Sequence, residues 1–418
     1  MHRPPRTSVL SLLMALTWIA CAPPDPARDV ISIDPTSDSL TARLEPLARA
    51  IGDRRIVLIG ENGHGVGDHT RLKVRLVEWL HDELGFDVVA MESGFFECGE
   101  VWRRVSALEP RQALYDCLRY PFQHAEILPM FERIVAAAEA DRPLELAGVD
   151  PQAQGFDSAT RPARVAEILS PVDADLAARI AAIDSAVFLP ASSGGQGDSV
   201  YVWMTANGEA AHTAYDSAIA RTSGRDRWIF LLGKAWLERL SVRAAAEAAG
   251  AGRPTRYYEV RDEWMARAAL ALADSIAGQR KVVVWLHNDH ARYGDFDLGG
   301  GYTVRSVGGF LREWAPREVF SIGLFMGSGR VVDNARQERT VEPAPADGIE
   351  ETLAVPGHPA SYLLLGPTLR QDLRVWADSA RPYLRGGTEM MEMVPATEFD
   401  ALFYVDRVAP PGFEIPRE

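Results

Sequence analysis

The chain has 418 residues, 47% hydrophobic and 24% charged, enough to bury a large core in more than one structural unit. Its formal charge is −14 at pH 7 with no basic stripe, which argues against nucleic acid or an anionic membrane surface as a partner.

Residues 1–21 read as a targeting segment rather than as part of the fold. Arg3 and Arg6 give a positive start, and the apolar stretch Val9–Ala20 is too short to span a bilayer. The stretch ends at Ala20-Cys21, and a Pro-rich linker occupies residues 22–33. This pattern resembles a bacterial lipoprotein signal with Cys21 as the lipidated residue, which implies an exported protein whose only membrane contact is that anchor. Trp18 and Ile19 depart from the small residues usual before such a cysteine, so plain secretion stays open. Cys98 and Cys117 then remain. In an oxidising compartment they could pair and contribute about 3 kcal/mol, or stand as two buried thiols.

After the linker a helix is expected near Asp38–Ile51, followed by a strand over Arg55–Gly60. His69–Leu84 has the spacing of an amphipathic helix, with Leu72, Leu76, Val77, Leu80 and Leu84 on one face and Gly85 as its stop. Strands follow at Asp87–Met91 and Pro143–Val149, with a helical stretch at Ala125–Ala140 between them. Residues 156–256 are Ala-rich and carry helical signals such as Arg227–Ala248, broken by the loop Ser192-Ser193-Gly194-Gly195-Gln196-Gly197. Strand patterns resume at Lys281–Leu286, Glu318–Met326, Ala360–Leu365 and Ala401–Val405. The alternation predicts an α/β fold, a mostly parallel central sheet flanked by helices. Residues 34–155 and 257–418 supply that unit, and 156–256 form a helical insertion capping the strand C-terminal ends.

Polar clusters follow three of these apolar runs. They are Glu61-Asn62-Gly63-His64-Gly65, Glu92, and His287-Asn288-Asp289-His290. In an open parallel sheet, side chains beyond the carboxyl ends of the strands share one ligand crevice. A histidine near its ordinary pKa suits proton removal from water, which makes His64 the candidate general base and Glu61 its orienting acid. His64 could instead only cap a turn. His287 and His290 could stabilise an oxyanion, or act as two metal ligands with Glu61 or Glu92. Asp150, at the end of another strand, could face the chemistry or cap the turn before Pro151. Phe95, Phe96 and Trp102 are expected mostly in the core, with a substrate wall as the alternative. No Gly-x-Ser-x-Gly elbow and no phosphate-binding Gly-rich loop is present, and Gly299-Gly300-Gly301 reads as a surface loop.

Together these blocks resemble the erythromycin esterase family, hydrolases that open the lactone ring of macrolide antibiotics. The resemblance rests on Gly60-Glu61-Asn62-Gly63-His64, Leu84-Gly85-Phe86 with Met91-Glu92, Arg261-Asp262 with Met265, His287 to His290, Ser306-Val307-Gly308 and Phe399–Phe403. It implies metal-independent, cofactor-free hydrolysis of a small-molecule ester or lactone, with His64, Glu61, Glu92, His287 and His290 catalytic. Lys73, Arg261 and Asp150 would bind substrate, and a macrolide-resistance role and a monomer are expected. Lys73 stands where the family usually has an arginine, which keeps the charge without the forked donors. Two other readings use the same residues: a metal-dependent hydrolase, and a lipoprotein that binds a ligand without turning it over.

Overall fold

The computed structural model describes residues 29–152, 159–192, 198–276, 279–298 and 302–413. The expected targeting segment, most of the expected linker, residues 193–197 of the expected loop, and Gly299-Gly300-Gly301 lie outside them. The central sheet uses eight strands: β1 (Ile31–Ile33), β2 (Ile56–Ile59), β3 (Phe86–Gly94), β4 (Glu145–Asp150), β5 (Lys281–Trp285), β6 (Val319–Val332), β7 (Ala360–Leu364) and β8 (Ala401–Val408). Their spatial order is β1-β7-β8-β6-β2-β5-β3-β4, and a short strand, Glu338–Thr340, pairs the far end of β6. The six strands from β8 to β4 run parallel, while β7 is antiparallel to both β8 and β1.

Alternation along the strands divides the core in two, as the pleat requires. Ile56, Leu58, Val88, Ala90, Val282 and Val284 pack on one face with Tyr215, Trp236 and Leu240 of the insertion. Val57, Ile59, Val89, Met91, Val283 and Trp285 pack on the other with Leu72, Leu76, Val77 and Leu80. The latter four belong to the helix Gly67–Leu84, which ends at Gly85 with φ +72°, a left-handed conformation that glycine adopts at no steric cost. Phe95 and Phe96 are buried in the first cluster and Trp102 packs against the second, so all three serve the core.

Between residues 159 and 256 the described chain forms the helices Arg161–Leu169, Ala174–Ser192, Asp198–Arg221 and Gly224–Ala248. They cover one sheet face, and Arg239 and Arg253 reach the crevice beyond the strand ends. The expected helix over Asp38–Ile51 is instead two, Leu40–Arg43 and Glu45–Ile51, meeting just ahead of Pro46. A hairpin that the strand pattern did not reveal, Arg381–Arg385 with Glu389–Met393, lies beside the sheet and turns through Gly386-Gly387.

Candidate active site

Register brings the polar clusters together. Ile59 pairs Trp285, and Trp285 pairs Met91, so these three residues lie in one row across β2, β5 and β3. Glu61, His287 and Glu92 therefore leave the sheet at the same level. Chain order also reverses here: the path runs from β2 past the place of β5 to β3, then returns through β5 to β6 on the far side. A reversal of this kind opens a crevice. Asn288 holds it in shape, donating to the Leu324 carbonyl (2.7 Å) and accepting the Leu324 N–H (3.1 Å). A Cβ at Gly60 would stand 2.2 Å from the Asn288 amide oxygen, so only glycine fits beside it. Asn62 works in the same way on the hairpin, donating to Leu384 O (2.6 Å) and accepting Gly386 N–H (3.0 Å).

A cavity of about 790 Å³ opens at this level, lined by His64, Glu92, Arg261, His287 and His290 among others. His64 Nδ1 lies 2.7 Å from Glu61 Oε1. A carboxylate partner fixes the proton on Nδ1 and leaves the lone pair on Nε2. The ring packs edge-on against Phe122 and His287, with centroids 4.6 and 5.3 Å away. Burial pushes the His64 pKa below its ordinary value, more than Glu61 and Glu92 raise it, so the imidazole is neutral at pH 7. Glu61 has the opposite balance: burial alone would raise it, but Lys73 and His64 hold it down at about 2.

Lys73 does not reach the cavity. It is fully buried, donating to Glu61 Oε2 (2.9 Å) and Leu286 O (3.0 Å), with its ammonium 4.2 Å from the centre of the Trp285 ring. Burial lowers its pKa to about 8 against the pull of Glu61. Lys73, expected to contact substrate, is instead placed behind Glu61 and off the cavity wall. Asp150, also expected to contact substrate, is buried and accepts from Arg261 Nε (3.0 Å) and Nη2 (2.7 Å), which places it behind that arginine.

Arg261 ties the second half of the site together. It also donates to Glu92 Oε1 (2.8 Å) and contacts His290 Nε2 through Nη1 (2.9 Å). A guanidinium can only donate, so His290 accepts on Nε2 and gives its Nδ1 proton to Asp262 (2.6 Å). Burial disfavours the charged ring, yet Asp262 and Glu92 together raise its pKa. The hydrogen-bond pattern nonetheless selects the neutral tautomer. Glu92 accepts the His287 backbone N–H (2.9 Å), and burial of this acid, which alone would raise its pKa, is overridden by the positive charge beside it, Arg261 and Arg119 included, which holds it well below the usual range. His287 caps a short helix by accepting Asp289 N–H on Nδ1 (3.2 Å), which places its own proton on Nε2.

All five residues expected to be catalytic are therefore in one centre, with Glu61 behind His64 and the other four on the cavity wall. Sequence reasoning missed Arg119, Arg239, Arg253 and the pair Asp289–Arg385 (2.5 Å), all of which line the cavity. Their signals were slight: Arg119 follows Cys117 by two residues, and Arg385 precedes the Gly386-Gly387 turn. Among the described residues no group of three His, Cys, Asp or Glu side chains is arranged to hold a metal ion. Glu61, Glu92 and Asp150 each hold a cationic side chain instead.

The same architecture occurs in a protein of Bacillus cereus, whose crystal structure superposes with a TM-score of 0.76 at 18% identity, covering 93% of this chain and 97% of that one. It occurs too in a histidine-to-asparagine mutant of erythromycin esterase EreC in its open conformation, with a TM-score of 0.65 at 17% identity and coverage of 90% and 96%. The protein named "Putative hydrolase YbfO" of Bacillus subtilis (strain 168) is 23% identical over 402 residues, covering 90% of this chain and 88% of its own. The family model described as erythromycin esterase matches residues 81–408, from just after the Glu61–Lys73 segment to the end of β8. By that match the chain belongs to the erythromycin esterase family.

Proposed function

We propose that this protein hydrolyses a carboxylic ester or lactone by direct attack of water, with His64 as the general base. The observation that carries the reading is the Glu61–His64 hydrogen bond, which leaves Nε2 unprotonated on a residue lining the cavity. Nε2 takes a proton from water as the oxygen attacks the carbonyl carbon. The developing oxyanion accepts a hydrogen bond from the Nε2–H of His287, which keeps its proton and whose tautomer is set by Asp289 N–H. Collapse breaks the bond to the leaving oxygen, and the proton on His64 passes to that oxygen. Water has then been split between acid and alcohol, with no covalent intermediate.

Glu92 and Arg261 keep the His287 backbone and the His290 ring in place while this occurs. A bound metal ion would have to displace Lys73 or Arg261 from the acids they hold, so activity is expected to survive chelation. Macrolide lactones are the first substrates to test, because the family name and the EreC structure point to them and the cavity has room. Resistance to macrolides would follow from such turnover. Export, with or without a lipid on Cys21, belongs to the same proposal and is checked by the mass of the mature N-terminus.

The test is a panel of macrolides, simple lactones and esters, with lactone opening read as a mass gain of one water. His64→Asn should reduce turnover by about a hundredfold or more while the melting temperature holds. Near-normal rates in that folded variant would overturn the assignment.

A further inference from the structure

The hydrolytic steps use the His64 and His287 side of the cavity, yet the wall built by the helical insertion carries cations that those steps do not need. Arg239, on the helix Gly224–Ala248, lines the cavity and is only 7% exposed. Its Nε donates to the Tyr257 carbonyl at 3.0 Å, and its guanidinium lies 4.2 Å from the centre of the Tyr257 ring. Its Nη1 is buried without a hydrogen-bond partner among the described residues. Burying a charge in this way is costly.

Other buried arginines in the chain meet that cost with a carboxylate: Arg261 with Asp150, Arg161 with Asp184, and Arg292 with Glu398. Arg239 has no carboxylate at ion-pair distance among the described residues, nor does Arg253, which lines the same cavity and faces the same Tyr257 ring at 5.6 Å. Arg119 stands on the wall as well, 3.8 Å from Glu92 and Asp150, acids that Arg261 already binds more closely. A guanidinium fixed by an aromatic ring presents its donors in a set plane, which suits a two-oxygen anion.

We propose that Arg239 and Arg253 form an oxyanion-binding subsite, so that the substrate carries a carboxylate or phosphate docked there while its ester faces His64. The ester half of that statement rests on the hydrolytic reading; the anion half does not. A positive group docked at this wall would meet Arg239, so an amine-bearing macrolide would have to place its amine elsewhere in the cavity, and the macrolide panel and the anionic ester test separate readings.

The experiment compares kcat/KM for the p-nitrophenyl esters of butyrate (neutral) and glutarate (a hemiester with a free carboxylate). In parallel, titration calorimetry follows glutarate and inorganic phosphate binding to the His64→Asn protein. The anionic ester should be preferred by about tenfold or more, and that preference should shrink with added salt. Arg239→Gln and Arg253→Gln should each pull the ratio towards one and weaken binding of the anion. Arg253 is exposed, so its variant keeps the test decisive if the buried Arg239 variant fails to fold. Tighter binding of glutarate or of phosphate identifies which anion the subsite takes. Equal rates for both esters, with no Arg253-dependent binding of either anion, would overturn the proposal and leave hydrolysis standing. Arg253-dependent binding without hydrolysis of any ester would support the subsite and remove the hydrolytic reading.

Discussion

Glu61 has two oxygens and divides them between two jobs: Oε1 orients the imidazole of His64, and Oε2 answers the buried ammonium of Lys73. Removing the lysine would leave a carboxylate buried with only a neutral ring beside it. Lys73→Met, close in volume, is therefore expected to destabilise the fold by about 3–5 kcal/mol, measured by urea unfolding, and to lower kcat as Glu61 takes up a proton. An unchanged midpoint would mean that the pair contributes nothing. The pH profile reports the same centre. Because burial lowers the His64 pKa, the base stays unprotonated until the pH drops under 6.5, so kcat/KM should be flat near pH 7 and fall only below that value. A fall beginning above pH 7 would show a different base. His64, Glu61 and Glu92 were legible in sequence because each follows an apolar run, and strand ends are where parallel sheets place ligands. The inward position of Lys73 was not legible, since it depends on Trp285 and Leu286, more than two hundred residues away.

At the scale of elements, strands with unbroken apolar runs announced themselves, and β2, β5 and β7 begin and end within one residue of the sequence reading. Polar continuations did not: β3 runs on through Glu92 to Gly94 with an irregular register against β4, and β6 continues beyond Met326 into its exposed pairing with Glu338–Thr340. The hairpin Arg381–Arg385 with Glu389–Met393 escaped notice because its strands, RPYLR and EMMEM, are short, bounded or broken by charges, contain a proline, and lack the apolar run or strict alternation that marks the other strands. It is held to the site by Asn62 and underpinned by Glu350, whose Oε1 accepts Leu384 N–H at 2.9 Å. Burial raises the Glu350 pKa to about 7 against that hydrogen bond. An acid with a raised folded pKa binds more protons folded than unfolded between about pH 4.5 and 7, so stability falls as pH rises through that window. Glu350→Gln keeps the acceptor without the charge. It should melt higher than the parent at pH 8, by up to about 3 kcal/mol of stability, and match it near pH 4.5. Equal melting at both pH values would show that the hairpin does not sense this charge.

Across the whole molecule, the site draws on segments from Glu61 to Arg385, and most are anchored by the parallel sheet. The wall that carries Arg119 is one that is not, because residues 95–122 leave β3 as short helices with no strand among them. A Cys98–Cys117 disulfide closes this segment, and the Cys117 carbonyl accepts from Ser93 Oγ at 2.7 Å, tying the loop back to the end of β3. Ser93 Oγ in turn accepts the Arg119 N–H at 3.2 Å, so the bridge, the strand end and the arginine form one unit. Of the two states the cysteines could take, paired or free, the paired one has this consequence for the cavity wall. A bridge across a loop of this length restrains the unfolded chain by about 3 kcal/mol, a term absent from the reduced protein. Reduction, or Cys98→Ala with Cys117→Ala, should lower the melting temperature by several degrees. It should also raise KM more than it lowers kcat, since Arg119 stands on the wall, while Phe122 of the same segment only packs against a His64 ring whose tautomer Glu61 sets by hydrogen bond. A reduced protein that melts and binds like the oxidised one would show that β3 alone positions this wall.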